Sequence, residues 1–299
     1  MRRLLLSSAV LIASLSCPAD EKPVNPARPP ITGIALVVIR VSDPKTSLDF
    51  YGKELGLGTG RCGGPDSPCL VLSGSQLVAL DRSAAPSSSN LIMEVFFATK
   101  DVVGLQRYLA AQGMHPGEVA LSEKGRRNFS VTDPEKHVIA FTEFQPDEVS
   151  STPSQVSARL IHTGFVVHDR AAEDKFYKDI LGFHVYWHGG MKEGEDNWVD
   201  MQVPDGTDWI EYMLRVAPDA SHKTLGVMNH IALGVPDIHA AQQQLIKNGW
   251  KGTEKPQIGR DGKWQLNLYD PDGTRVELME FTPVEKPCCS EYTGPHPKP

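Results

Sequence analysis

The sequence predicts an α+β fold made of four βαβββ units that are paired into two tandem modules. Three features indicate this class: an internal duplication, a repeated order of strands and helices, and polar residues on equivalent strands. Phe50-Tyr51 recurs 126 positions later as Phe176-Tyr177, and Asp133-Pro134 recurs 137 positions later as Asp270-Pro271. The offset grows by about ten residues, which loops accommodate at little cost. A repeat of this length indicates a duplicated domain, because solenoid repeats are far shorter.

Each unit is predicted to begin with an apolar strand that ends at an Asp, and a helix follows. Asp43 and Asp169 are suited to cap these helices, because their short carboxylates accept bonds from the free N–H groups of the first turn. Gly182 and Gly249 stand where the helical patterns end. The segment 270–273, Asp-Pro-Asp-Gly, predicts a hairpin turn that leads into the last strand.

The domain organisation follows from this repeat and from shifts in composition. At 299 residues, with 40% hydrophobic and 22% charged residues, the chain has room for two modules of ordinary size. We predict a signal peptide at 1–17, a Pro-rich linker at 18–30, a first module at 31–146, a polar linker at 147–158, a second module at 159–283 and a Pro-rich tail at 284–299.

The first seventeen residues have the pattern of a secretory signal. Arg2-Arg3 precede an apolar run from Leu4 to Leu15, which is too short to span a bilayer as a helix. The segment that ends at Cys17 also resembles a bacterial lipoprotein signal, although Ser14 stands where that motif usually has Leu. We therefore expect export, either to the periplasm or to a membrane through a lipid on Cys17, and both forms remain open.

Net charge limits the classes of partner, and the cysteines raise the question of disulfide bonds. The net charge is −7, and no basic stripe with interleaved aromatic residues occurs, so nucleic acid is not an expected partner. Cys62 and Cys69 bracket a turn-rich loop and are either a small disulfide or two free thiols. Cys288 and Cys289 are expected not to pair, because the Cβ atoms of adjacent residues point apart. The oligomeric state cannot be read from the sequence.

Four polar residues interrupt apolar, strand-like stretches of the second half: His162, Glu211, His230 and Glu277. Burial of such groups among aliphatic neighbours costs several kcal/mol unless something pairs with them. Two imidazoles and two carboxylates are a common ligand set for a divalent transition ion. Their recurrence at equivalent places in the repeated units favours a metal site over four separate core groups.

The segments around these residues resemble the vicinal oxygen chelate superfamily, which includes glyoxalase I, methylmalonyl-CoA epimerase and the extradiol dioxygenases. The resemblance covers roughly residues 31–283, and it is strongest at 160–163, 174–183, 229–235 and 270–280. It implies a site for one divalent ion, with Zn or Ni favoured and Fe, Co and Mn also open. By the same resemblance, Glu277 is the first choice for the catalytic base and Glu211 is the paired carboxylate.

The first module does not repeat these four residues. The repeat offsets place Leu36 at the position of His162, Glu94 at that of His230 and Ala140 at that of Glu277. The counterpart of Glu211 falls within Leu77–Leu80, which contains no carboxylate. We therefore predict one metal per chain, in the second module.

Three functions remain open at this point. The first is a metal-dependent lyase or isomerase that transfers a proton on a small substrate with vicinal oxygens. The second is an Fe(II) extradiol-type dioxygenase, against which Glu211 argues as an additional anionic ligand. The third is a protein of the bleomycin-resistance kind that binds a small molecule without catalysis. All three take a small-molecule partner.

Overall fold

Two eight-stranded sheets follow one another along the chain in the computed structural model, which describes residues 26–61, 68–82, 90–122, 125–143 and 152–299. Each sheet is built from two strand–helix–strands units. The predicted α+β class with two tandem modules is therefore confirmed. The predicted signal peptide, most of the linker at 18–30, Cys62 and the first part of the linker at 147–158 lie outside the described residues.

The described residues of the first module form eight strands and two helices. Its strands are β1 (Ile31–Arg40), β2 (Gly58–Arg61), β3 (Pro68–Ser73), β4 (Gln76–Asp81), β5 (Ile92–Thr99), β6 (Ala120–Leu121), β7 (Arg127–Thr132) and β8 (Val138–Thr142). Its helices are α1 (Pro44–Leu48), which continues as a π-helical segment over Asp49–Glu54, and α2 (Val102–Ala111).

The second module repeats this order and adds a short helix before its fifth strand. Its strands are β9 (Arg159–Val166), β10 (His184–Gly189), β11 (Trp198–Gln202), β12 (Trp209–Met213), β13 (His230–Val235), β14 (Gln257–Ile258), β15 (Trp264–Tyr269) and β16 (Arg275–Glu280). Its helices are α3 (Arg170–Asp174), with a π-helical continuation over Lys175–Ile180, α4 (His222–Met228) and α5 (Ile238–Asn248).

The two sheets have the same topology. Their strand orders are β2-β3-β4-β1-β5-β8-β7-β6 and β10-β11-β12-β9-β13-β16-β15-β14. In the second sheet the four central strands are β12, β9, β13 and β16. These are the strands that carry Glu211, His162, His230 and Glu277, so the topology alone brings the four residues to the middle of one sheet.

The helix ends follow local chemistry that the sequence predicted. Asp43 accepts a bond from the Lys45 N–H, and Asp169 accepts one from the Ala172 N–H, which satisfies first-turn donors. Gly249 ends α5 with φ of 106°, a left-handed conformation that strongly favours glycine. The apolar faces of these helices cover the sheets, with Leu105 and Leu245 fully buried.

The modules contact each other through reciprocal pairs. The Tyr51 hydroxyl donates to Asp270 at 3.0 Å, and the Tyr177 hydroxyl donates to Asp133 at 3.0 Å. Each tyrosine comes from one module and its aspartate from the other, at positions related by the duplication. The two modules are thus arranged about an approximate twofold axis.

The C-terminal tail lies against the second module. Thr293 N–H donates to the Tyr186 carbonyl, and the Tyr292 ring packs on the Tyr186 ring at 4.7 Å. The expectation that Cys288 and Cys289 do not pair is wrong, because a disulfide joins them. Cys289 has a φ of 76°, and this left-handed backbone accompanies the pairing of the adjacent residues. No helix among the described residues is long and apolar enough to cross a membrane.

Candidate metal centre

The strand register sets the four polar residues diagonally across one face of the second sheet. His162 is paired with Trp209 on β12 and with Ala232 on β13, whereas Gly164 is paired with Glu211 and with His230. Because alternate residues of a strand share a face, these pairings place the four side chains together. All four come from central strands, where both neighbours restrain the backbone.

The donor atoms lie close together. His162 Nε2 is 3.0 Å from His230 Nε2 and 3.8 Å from one oxygen of each glutamate. His230 Nε2 is 3.1 Å from the Glu211 oxygen and 3.7 Å from the Glu277 oxygen. The structure therefore brings together all four residues that the sequence singled out.

The hydrogen bonds of the imidazoles leave a lone pair directed into this cluster. His230 Nδ1 lies 2.9 Å from the Met228 carbonyl oxygen, which only accepts, so this nitrogen carries the proton. The Nε2 of a neutral His230 then carries the lone pair that can bind a cation. Burial holds the pKa of His162 and of His230 well below the usual range, with neighbouring positive charge adding to the effect, so both rings are neutral.

The two carboxyl groups are also shifted by burial. Burial raises the pKa of Glu277 to about 7, against the opposing influence of the Arg275 guanidinium. Burial likewise raises the pKa of Glu211 to about 7, and Arg275 again opposes the rise. Two carboxyls that titrate near neutrality beside two neutral imidazoles form a site that readily exchanges protons.

This donor set fits a divalent transition ion. Donors held about 2.1 Å from such an ion lie about 3 Å apart when they are adjacent in an octahedral arrangement. The separations of 3.0 Å and 3.1 Å around His230 Nε2 match this value. His162, His230 and Glu277 each offer a ligand atom within 4.8 Å of the others, and all three are buried. A neutral imidazole can present an unprotonated nitrogen to a cation, so the two rings are suited to share one ion.

A cavity of about 390 Å³ opens onto this cluster. Beyond the candidate ligands, its walls include Trp187, Met191, Trp198, Arg260, Asn267 and Arg275. The loop after β10 thus forms one wall of the cavity through Met191. Asn267 on β15 lines the cavity, whereas Trp264 on the same strand packs against His239 with ring centroids 5.0 Å apart.

Sequence reasoning missed several polar residues of the cavity, above all Arg275, Asp200 and Asp261. Arg275 stands two residues before Glu277, so the twofold period of the strand was a signal that it shares a face with this glutamate. Asp200 is paired with Glu211 across β11 and β12, which no local pattern reveals. Burial raises the pKa of Asp200 well above its usual range, with the charge of Glu211 as the next cause.

The first sheet confirms the degenerate counterparts. Leu36 is paired with Leu77 as His162 is with Trp209, and Val38 is paired with Glu94 as Gly164 is with His230. Ala140 is paired with Phe96 in the first sheet, just as Glu277 is paired with Ala232 in the second. By the same register Ala79, opposite Val38, takes the place of Glu211.

Known proteins share both the sequence pattern and the fold. Residues 159–278 match the Glyoxalase/Bleomycin resistance protein/Dioxygenase superfamily. The match covers nearly the whole C-terminal module. Members of the superfamily bind a divalent metal, in agreement with the donor cluster of this module.

Relatives of known function match about two fifths of the chain. A lactoylglutathione lyase of Haemophilus influenzae is 27% identical over 124 residues, which are 41% of this chain and 92% of that protein. A probable lactoylglutathione lyase of Synechocystis is 29% identical over 135 residues, which are 40% of this chain and 94% of that protein.

Solved structures match both modules together. Homoprotocatechuate 2,3-dioxygenase from Brevibacterium fuscum has a TM-score of 0.66 and 19% identity, over 92% of this chain and 85% of that chain. Homoprotocatechuate 2,3-dioxygenase from Arthrobacter globiformis has a TM-score of 0.64 and 19% identity, over 86% of this chain and 82% of that chain. At this identity the likeness establishes the two-module fold.

Proposed function

We propose that this protein is a metal-dependent lyase or isomerase of glyoxalase type. It would transfer a proton between neighbouring carbons of a small substrate that carries two vicinal oxygens. The observation that carries the proposal is the pair of carboxyls, Glu211 and Glu277, which approach the same two neutral imidazoles from β12 and β16. These two strands flank β9 and β13, which carry the imidazoles. The two relatives described as lactoylglutathione lyases support the same reaction class.

Each residue of the donor cluster has a distinct role in the proposed reaction. When bound, a divalent ion would supply Lewis acidity that stabilises negative charge on a substrate oxygen. Glu277, whose pKa burial raises to about 7, is suited to take a proton from carbon and return it to the neighbouring carbon. Glu211 reaches the cluster from the other side of β9, and its side chain is 14% exposed against 4% for Glu277. His162 and His230 hold the ion as neutral ligands.

An Fe(II) dioxygenase is the second candidate, because His162, His230 and Glu277 form a group of two imidazoles and one carboxylate. Such a facial triad is the ligand set of non-haem Fe(II) oxygenases. Glu211 favours the lyase or isomerase, since its oxygen is 3.1 Å from His230 Nε2. Glu211 would be a fourth ligand, and an anionic one, at a position that catechol and dioxygen need.

The test starts with the metal content of the purified protein, which we expect to be about one divalent ion per chain. His162→Ala and His230→Ala should lose the ion, because each deletes a neutral ligand. Glu94→Gln is the matched control. Glu94 is the counterpart of His230 and burial raises its pKa to about 7, yet it belongs to no group of metal donors among the described residues. Two ions per chain, or none after reconstitution, would contradict the proposal.

Activity is then measured on 2-oxoaldehyde hemithioacetals and acyl thioesters. Glu277→Gln keeps the size of the side chain and an oxygen ligand but removes the base, so turnover should fall roughly 10²–10⁴-fold with a modest loss of metal. Glu211→Gln should cost less. An oxygenase would instead tolerate Glu211→Gln, require Fe(II) and consume dioxygen with a catechol. A binding protein would keep its ligand affinity in all four variants.

We further propose that the protein is exported, on the strength of the basic and apolar N-terminal pattern that ends at Cys17. Mass spectrometry of the natural N-terminus distinguishes a lipidated Cys17 from simple cleavage near it. An N-terminus that still begins with Met1 would contradict export through either route.

A further inference from the structure

Arg275 places a guanidinium cation at the candidate metal centre. It lies on β16 two residues before Glu277, on the same face, and it lines the cavity with Glu277 and Met279. Its guanidinium makes no ion pair with any carboxylate of the described part of the chain. A charged group so placed is costly unless something compensates it.

One edge of this guanidinium faces the donor cluster. Arg275 Nη2 lies 2.8 Å from His230 Nε2, and Arg275 Nε is buried with no hydrogen-bond acceptor. The Nε–H and one Nη2–H lie in the guanidinium plane and point outward from the same edge, so together they form a fork that matches the two oxygens of a carboxylate.

The acceptor that this fork now uses is the one that a metal would take. The His230 Nε2 lone pair cannot both accept from Arg275 and bind an ion. Once His230 binds an ion, both donors of the Arg275 fork lack an acceptor among the described residues, on a side chain that lines the cavity. A neutral substrate would leave them unpaired, whereas a carboxylate would satisfy both.

The other guanidinium of the cavity, that of Arg260, already has hydrogen-bond partners. Arg260 Nε donates to the Gly190 carbonyl at 3.1 Å, and its Nη2 lies 2.8 Å from Cys288 Sγ. Asn267 offers a further buried polar group, because its Oδ1 has no hydrogen-bond partner and the residue lines the same cavity. The free donors beside the ligands therefore belong to Arg275.

We propose that Arg275 binds a carboxylate of the substrate, so that the site accepts small acids with a second oxygen on the neighbouring carbon, such as 2-hydroxy and 2-oxo acids. The inference rests on the proposed function, since it names the substrate class of that site. It makes the arginine a residue that selects the substrate, while proton transfer stays with Glu277.

The test compares binding of lactate with that of lactamide to the metal-loaded protein by titration calorimetry. Both probes carry vicinal oxygens, and only lactate carries the charge. We expect lactate to bind roughly tenfold to a hundredfold more tightly, as charge-assisted hydrogen bonds predict. Arg275→Met should abolish this preference while lactamide affinity stays unchanged. Arg275→Lys should lose most of it, because an ammonium keeps the charge without the fork.

Two further measurements keep the result unambiguous. Arg260→Met should retain the preference; its loss in that variant, or its persistence in Arg275→Met, would overturn the proposal. Metal affinity of Arg275→Met should equal or exceed that of the unmodified protein, because a competitor for the His230 lone pair is gone. Loss of metal in this variant would show instead that Arg275 supports the ligands. Because binding is measured directly, an inactive protein that still prefers lactate would refute the proposed reaction and leave this inference standing.

Discussion

At the scale of single residues, the geometry of the candidate centre depends on a glycine. Gly164 lies opposite His230 in the register of β9 and β13. A Cβ atom on Gly164 would lie 2.1 Å from His230 Cε1 and 2.5 Å from its Nδ1. The imidazole thus occupies the space that any larger side chain at this position would need.

Gly164→Ala should displace the His230 ring and lower metal affinity roughly tenfold to a hundredfold, the usual cost when groups that orient a ligand are lost. Competition with a chelating dye measures the affinity. Gly52→Ala is the control, because a Cβ there has its nearest contact at an ordinary 3.7 Å. Equal metal affinity of the two variants would mean that the His230 ring does not hold the ion.

The sequence predicted the four candidate ligands because polar groups in apolar strands are costly and therefore conspicuous. It did not predict Arg275 or Gly164. An arginine just after a turn is usually solvated, and a glycine in a strand has several explanations. Their roles depend on which residues lie opposite them, and this register is set by pairing between segments far apart in the chain.

At the scale of elements, the tail at 284–299 has more structure than its proline content suggested. The Tyr292 hydroxyl donates to the Asp261 carbonyl at 2.8 Å, and the Lys263 ammonium lies 5.0 Å from the centre of the Tyr292 ring. Lys263 is fully buried, and the rings of Tyr186 and Trp209 also surround its ammonium. The tail therefore completes an aromatic enclosure around a buried cation.

Tyr292→Ala should lower the free energy of unfolding by about 3 kcal/mol, because it removes a packed ring and opens the enclosure of Lys263 to water. Urea unfolding followed by fluorescence measures the change. Tyr269→Ala removes a tyrosine that is 44% exposed and should cost far less. An equal effect of both substitutions would show that the tail contributes nothing to the stability of the module.

Helices and strands were predictable from local patterns, as the caps Asp43 and Asp169 and the terminal Gly249 show. The docked tail was not, because it has no regular periodicity and its contacts depend on Tyr186 and Asp261, which are distant in sequence. The pairing of Cys288 with Cys289 escaped prediction for a related reason. It accompanies a left-handed backbone at Cys289, and a non-glycine residue gives no signal of such a conformation.

At the scale of the whole molecule, the contact between the modules contains a buried carboxyl pair. Glu173 is fully buried, and burial raises its pKa to about 9, with the charge of Asp133 adding to the shift. Glu135 N–H donates to Glu173 at 3.0 Å, while His137 and Tyr177 both contact Asp133. At neutral pH Glu173 is therefore protonated and can donate to Asp133.

This pair makes stability depend on pH. The unfolded chain releases the Glu173 proton near pH 4.5, whereas the folded protein keeps it up to about pH 9. The free energy of unfolding should therefore fall as pH rises between these values, by on the order of 1 kcal/mol per pH unit. Glu173→Gln should flatten this decline, because the amide stays neutral.

Thermal melts across this pH range test the dependence, and comparison with the unmodified protein cancels the contributions of the other titrating groups. Glu193→Gln, at an exposed position, is the control and should leave the slope unchanged. If Glu173→Gln and the unmodified protein lose stability equally as pH rises, the carboxyl is ionised in the folded state.

The reciprocal bonds of Tyr51 with Asp270 and of Tyr177 with Asp133 also affect behaviour on dilution. Two separate subunits with such an interface would come apart when their concentration falls below the dissociation constant. Here a short linker joins the halves, and this keeps each at an effective concentration on the order of millimolar for the other. The paired arrangement of the two modules within one chain is therefore independent of how dilute the protein becomes.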